Sequence, residues 1–172
     1  MIGILKGRRS IRKYLDMEIE SEKTDLLKKA ILLAPSSKSN KPLEFIFVDE
    51  KKKILELSNS KNFGSAFLKT APLAVVIVGD ENKSDVWIED ASIAAIILQL
   101  TGESIGLKSC WIQIRNRIQN DEVTSEEHVR KTLNIPDNLR ILSIIAMGYP
   151  DEIKEPYKEE TLNYSIIKKN NY

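Results

Sequence analysis

Arg8-Arg9-Ser10-Ile11-Arg12 places three guanidinium groups and a hydroxyl within five residues. Arginine presents planar, forked donors that match phosphate oxygens, and each charge-assisted hydrogen bond is worth roughly 1.5–3 kcal/mol. The cluster can converge on one anion, or it is simply a solvated basic terminus. A second segment, Ala34-Pro35-Ser36-Ser37-Lys38-Ser39-Asn40-Lys41-Pro42, runs between two prolines. It can offer backbone N–H groups, hydroxyls and an amine to a polar ligand, although Ser, Asn and Pro are also ordinary turn formers. A third, Ile144-Ile145-Ala146-Met147-Gly148-Tyr149-Pro150, ends a strand in a glycine turn and is followed by Lys154 and Lys158.

Other reactive side chains are few. Cys110 is the only cysteine and His128 the only histidine, which excludes a disulfide framework, a multi-thiolate cluster and a multi-histidine metal site. Cys110 is expected as an inert buried thiol in a strand, and His128 as a solvated imidazole on a helix. Glu89-Asp90 point about 100° apart on a helix, so a surface or interface role is expected of them rather than paired acid–base chemistry. Lys51-Lys52-Lys53 reads as a solvated helix start. Neither GxGxxG nor GxxxxGK[ST] occurs, so no dinucleotide fingerprint or phosphate-cradling P-loop is supported. The formal net charge of +1 argues against a dedicated nucleic-acid binder, and a hydrophobic content of 42% argues against a disordered chain. The longest apolar stretches, Ala71–Val78 and Ala91–Leu98, fall far short of the roughly 20 residues that a membrane span needs. Lys6, Arg8 and Arg9 follow Met1 with no apolar leader between them, and a cytoplasmic location is expected.

The elements that must hold these groups follow from punctuation and periodicity. At 172 residues the chain is expected to form one domain, 1–172, with 151–172 as an extended C-terminal arm. Ser21 is expected to cap a helix reaching about Ala34, with Leu26, Ala30 and Leu33 and also Leu27, Ile31 and Ala34 at helical spacing. Leu43–Val48 predicts a strand, and Asp49 an N-cap for a short helix through Leu57. Leu73–Val78 is continuous, β-branched and apolar, the pattern of a strand covered on both faces. Val86 to about Ile105 is the longest helix candidate, apolar on nearly all sides and therefore buried centrally or against another subunit. Ser109–Ile114 and Leu139–Met147 predict further strands, with a helix at Ser125–Leu133 that Pro136 is expected to end. Strands alternating with helices predict, on local pattern alone, a parallel βαβ sheet.

Taken in order and spacing, RRSxRxY at Arg8–Tyr14, the APSS loop and the late MGYP turn resemble the FMN-dependent nitroreductase family, in particular its short members. The resemblance runs from Arg8 to the tail. It implies a three-layer α/β/α fold of the α+β class around a mixed or mostly antiparallel sheet, with the C-terminal arm exchanged in a homodimer. In the family, residues matching Arg8, Arg9 and Ser10 serve the FMN phosphate and nearby ribityl oxygens, and the one matching Arg12 approaches N1 and O2 of the flavin ring. Pro35, Ser36 and Ser37 match the second motif, whereas Ser39 stands for its Asn, Lys41 for its Gln and Leu43 for its Trp. The stretch Trp111-Ile112-Gln113 falls where the family lines the pyrimidine side of the ring. Lys158 is the first candidate for a late phosphate contact and Lys154 the second.

The implied activity is ping-pong hydride transfer from NADH or NADPH through flavin N5 to a nitroaromatic or quinone. Such chemistry needs no protein nucleophile, consistent with one His and one Cys, and a cation such as Arg12 stabilises negative charge near N1. Two alternatives stand beside it: a non-catalytic FMN-binding sensor or store, and a relative performing reductive dehalogenation or flavin fragmentation. No metal is expected. The resemblance also implies an obligate homodimer with FMN at the interface, its long apolar helices paired and its arm wrapped on the partner.

Overall fold

Every residue of Leu73–Asp80 (β2) is buried because both faces of the strand are covered. In the computed structural model, which describes residues 1–172, β2 lies between Leu43–Val48 (β1) and Leu139–Gly148 (β4). Lys108–Gln113 (β3) lies beyond β4, giving the order β1-β2-β4-β3 with every neighbouring pair antiparallel. The helices are Ile2–Gly7 (α1), Ser21–Leu32 (α2), Lys51–Leu57 (α3), Trp87–Ser104 (α4) and Ser125–Leu133 (α5).

Leu73, Val75 and Ile77 of β2, with Leu142, Ile145 and Met147 of β4, face Leu27 and Ile31 of α2 and Trp87, Ala91, Ala95 and Leu98 of α4. Ala74, Val76 and Val78, with Ile141, Ile144 and Ala146, face Ile54 and Leu57 of α3, Val129 of α5, and Leu68 in the turn before β2. The protein is thus an α+β, three-layer α/β/α structure around an antiparallel sheet. Along β4 the facing residues change parity, because Ile77 pairs with Ser143 but Val78 with Ile141. Leu142 is the extra residue of a bulge, and the slip exchanges the faces of everything after it.

The parallel sheet suggested by local pattern is overturned, since every neighbouring pair of strands is antiparallel. An 18-residue α4 spans about 27 Å and returns the chain past a whole strand, so β2 and β3 run in the same direction. The connections through α3 and α5, helices of 7 and 9 residues, join antiparallel strands instead. Strand β4 then inserts between β2 and β3, leaving no parallel pair in the sheet.

Several local expectations are corrected. Glu20, not Ser21, occupies the N-cap of α2, and the Ser21 hydroxyl donates to Glu22 instead. That helix buries Leu27 and Ile31 and leaves Leu26 and Leu33 exposed. Glu50 rather than Asp49 precedes α3. Thr124 and Glu127 form a reciprocal capping box at α5, which ends at Asn134 in the left-handed conformation (φ 54°), before Pro136. His128 is half-buried, and its Nε2 lies 3.0 Å from the Glu56 carbonyl, tying α5 to α3. Helix α1 was not anticipated.

Only one stripe of α4 meets solvent: Glu89, Ile93 and Ile96, with Leu100 half-buried. No helix is long and apolar enough to cross a membrane. The arm leaves Ile153, Leu162, Ile166 and Ile167 exposed. It is tied to the start of the chain by the Asp151 N–H on the Lys13 carbonyl (2.8 Å), the Tyr157 N–H on the Lys6 carbonyl (3.0 Å) and the Lys6–Glu159 ion pair.

Candidate functional site

Residues 10–15 run as a rail along the outer edge of the sheet. Ser10 pairs in parallel with Ser109 of β3, and the Ile11 N–H donates to the Ser109 carbonyl at 3.1 Å. Ile11 and Tyr14 plunge into the core, which turns Arg12 outward. The far end is held where Tyr14 bridges Pro150 and the Leu15 N–H reaches the Tyr149 carbonyl at 2.9 Å. Gly148 is required here by close approach: a Cβ on it would stand 2.5 Å from Pro72 Cδ and 3.1 Å from Tyr14 Cδ1. The MGYP turn therefore serves to seat the rail.

Neither Arg8 nor Arg12 takes part in any ion pair. The Glu152 carboxylate accepts the backbone N–H of Arg12, which holds its pKa below the usual range. Lys154 donates to the Ser10 carbonyl and lies 3.6 Å from Glu152. Behind the rail, burial pushes the Cys110 thiol up, against the opposing pull of Arg12, the Ser10 hydroxyl, Lys154 and Arg8. Arg8, Ser10, Arg12 and Lys154 thus lie along the edge beside β3, and burial favours the protonated thiol behind them.

Arg9 is used differently. Its guanidinium donates to the Glu155 carbonyl and lies 4.6 Å from the centroid of the Tyr157 ring, so it clasps the arm to the rail. Lys158 lines an open cleft with Arg9, Thr161 and Asn163, and forms no ion pair. On β3, the Trp111 indole donates to Gln113 Oε1 at 3.0 Å, and Gln113 Nε2 donates to the Arg115 carbonyl at 2.9 Å. Ile112 points the other way into the core at 1% exposure, leaving only its backbone to offer a ligand.

The Pro35–Pro42 loop lies elsewhere on the chain. Ser36 Oγ accepts the Lys41 N–H at 3.0 Å, and Lys38, Ser39 and Lys41 all adopt positive φ (49°, 55° and 45°). Asn40 Nδ2 donates to the Lys83 carbonyl at 3.1 Å, and the Ser37 N–H donates to Asp90 Oδ1 at 2.9 Å. Asp90 is at the start of α4, whereas Ser109 beside the rail touches Gln99 of α4 at 3.3 Å. Those two anchor points are nine residues, or roughly 14 Å, apart along the helix. Within one chain the structure therefore gathers Arg8, Ser10, Arg12 and Lys154 beside β3, and holds Pro35, Ser36, Ser37, Ser39 and Lys41 apart from them.

Asp90, expected at the surface or an interface, is buried at 4% exposure. Glu152, missed by sequence reasoning, and Lys154 both shape the rail through backbone groups. The signal for Asp90 was its position in an otherwise apolar helix face; Glu152 and Lys154 carry no sequence signal beyond charge.

Arg8 with the Ser10 hydroxyl is a donor set suited to a phosphate dianion, and it leaves the Arg12 guanidinium for another part of the same ligand. The model of the Nitroreductase family matches residues 5–62 and 55–149. A solved FMN-dependent nitroreductase from Clostridium difficile R20291 is 50% identical, each chain covered over 100% of its length, with a TM-score of 0.98. A solved structure from Parabacteroides distasonis, named NADH dehydrogenase/NAD(P)H nitroreductase, is 34% identical over 99% of this chain and 98% of that one, with a TM-score of 0.89. An Archaeoglobus fulgidus protein bearing the same name is 31% identical over 92% of this chain and 90% of its own.

Proposed function

The chain belongs to the nitroreductase family, and from that membership we infer that it is an NAD(P)H-dependent flavin oxidoreductase with FMN as its cofactor. The observation that carries this reading is the rail itself: Arg8 and Arg12 stand unpaired beside β3, with Trp111 and Gln113 continuing along the same strand.

When bound, FMN supplies a hydride acceptor and donor at N5. Arg8, Ser10 and Lys158 would hold its phosphate, and Arg9 clasps the arm that carries Lys158. Arg12 would stabilise negative charge at the N1/O2 end of the ring. Trp111, the backbone of Ile112 and Gln113 would line the pyrimidine side. Pro35, Ser36, Ser37, Ser39 and Lys41, anchored at the other end of α4 from the rail, would reach the flavin from a second subunit. This makes the working unit a homodimer with FMN at the interface, each chain contributing one domain over 1–172, its arm clasped to its own rail as far as Glu159 and its exposed end, with Leu162, Ile166 and Ile167, exchanged onto the partner. The exposed stripe of Ile93 and Ile96 on α4, and Ile166 and Ile167 on the arm, supply apolar surface for that assembly.

With FMN bound, turnover would be of the ping-pong kind: NADH or NADPH would supply the electrons and leave before an electron-poor acceptor of the nitroaromatic or quinone class takes them. The test is the visible spectrum of the purified protein with added FMN, followed by NAD(P)H oxidation with a nitroaromatic or quinone at varied concentrations of both. A yellow protein with parallel double-reciprocal lines is expected. Protein that takes up no FMN overturns the reading, and saturable FMN binding without turnover turns it into that of a flavin store or sensor.

A further inference from the structure

We propose that Asp90 is a positioning residue for the flavin site: its buried carboxylate holds the Ser36–Lys41 loop in the shape that meets the ring. The inference rests on the flavin reading above. Asp90 is 4% exposed, and the hydrogen bond its carboxylate accepts comes from a backbone N–H rather than from a cation. It sits in the first turn of α4, where the helix N-terminus favours a negative charge. One oxygen accepts the Ser37 N–H at 2.9 Å, across 53 residues of sequence. The other is buried without any hydrogen-bond partner. A buried carboxylate left half-satisfied is costly, and such a group persists where the geometry it imposes is needed.

What it imposes is visible in the loop. Three non-glycine residues, Lys38, Ser39 and Lys41, are held at positive φ, a conformation that L side chains disfavour. A segment carrying that much strain stays in place only if its surroundings over-determine it. Two contacts outside the loop do so, the Asp90–Ser37 bond and the Asn40–Lys83 bond, and only the first is charge-assisted. Ser37 is also the residue at which the loop turns back, after Ser36 in extended conformation (φ −136°, ψ 153°).

The test uses D90A, D90N, and a pair at the other end of the bond, S37P and S37A. An extended Ser36 suits a following proline, so S37P removes the N–H that Asp90 accepts while leaving α4 intact; S37A removes only the hydroxyl. Hydrogen–deuterium exchange of residues 36–41 in flavin-free protein, and titration with FMN and with riboflavin, are the readouts. D90A and S37P are expected to speed exchange in the loop and to weaken FMN and riboflavin by the same factor, about tenfold or more. D90N, which keeps an acceptor oxygen of the same size, restores most of the affinity, and S37P loses more than S37A. Exchange unchanged in both D90A and S37P overturns the proposal, as does a loosened loop with unaltered flavin affinity. Failure of the unaltered protein to bind FMN overturns the flavin reading first, and is distinguishable because the exchange result is independent of flavin.

Discussion

The Tyr14 hydroxyl donates to the Ile11 carbonyl at 2.6 Å, closing the rail on itself three residues apart while both side chains sit in the core. This bond fixes the turn from which Arg12 projects, and through it the Arg8–Arg12 segment is keyed to the sheet. Removing the hydroxyl strands a buried carbonyl. Tyr14→Phe is expected to lower stability by about 1–3 kcal/mol in urea unfolding. Burial also holds the Tyr14 hydroxyl above its ordinary pKa, with Cys110 and Glu152 adding to the effect. Its contribution is full below the unfolded value of about 10 and declines as pH rises past it, because only the unfolded chain then ionises. The variant should lose this alkaline sensitivity; an unchanged alkaline limb would remove Tyr14 as its source.

Arg8→Ala deletes an unpaired guanidinium assigned to phosphate. FMN affinity is expected to fall by roughly 2–3 kcal/mol, about 30–150-fold. Riboflavin, which lacks the phosphate, should bind the variant and the parent about equally. Equal losses for both ligands would mean that Arg8 does not face phosphate.

Acid should loosen the rail through Glu152. The Arg12 N–H holds this carboxyl below the ordinary range, so the folded state binds fewer protons than the unfolded chain. Its contribution is complete above the unfolded value of about 4.3 and is lost as pH falls through the depressed folded one. Flavin retention and thermal stability should both decline over that interval. Glu152→Gln should already be weakened at neutral pH and show a flatter acid limb; an acid limb identical to that of the parent would count against this contact.

Sedimentation at low micromolar concentration should give about twice the chain mass, with a total interface on the order of 2,000–5,000 Å² or more, as in obligate dimers. Two-fold symmetry then implies two identical flavin sites. Truncation after Pro150 should weaken dimer and flavin retention together, because the arm carries both apolar contacts and Lys158. A monomer that retains one FMN per chain would defeat the two-subunit site.

Sequence alone determined those features that depend on side-chain type and period. The run Leu73–Val78 had to be covered on both faces and α4 had to be buried on nearly every side, while the flavin was implied only by the family resemblance that RRSxR, APSS and MGYP carry in order and spacing. Tertiary structure decided what depends on distance between remote segments. Strand direction followed from which strands the fold sets side by side, with β4 between β2 and β3, and strand–helix alternation does not specify that order. The bulge at Leu142 reassigned the faces of β4, since one extra residue inverts a period of two. Arg9 was drawn to Glu155 and Tyr157 instead of standing free with Arg8, and Asp90 was drawn inward to Ser37, because a charged group's role is set by which partner the fold brings within about 3 Å. Hydrophobic pattern is local and additive along a chain, whereas hydrogen-bond pairing across 53 or 146 residues exists only once the layers have packed.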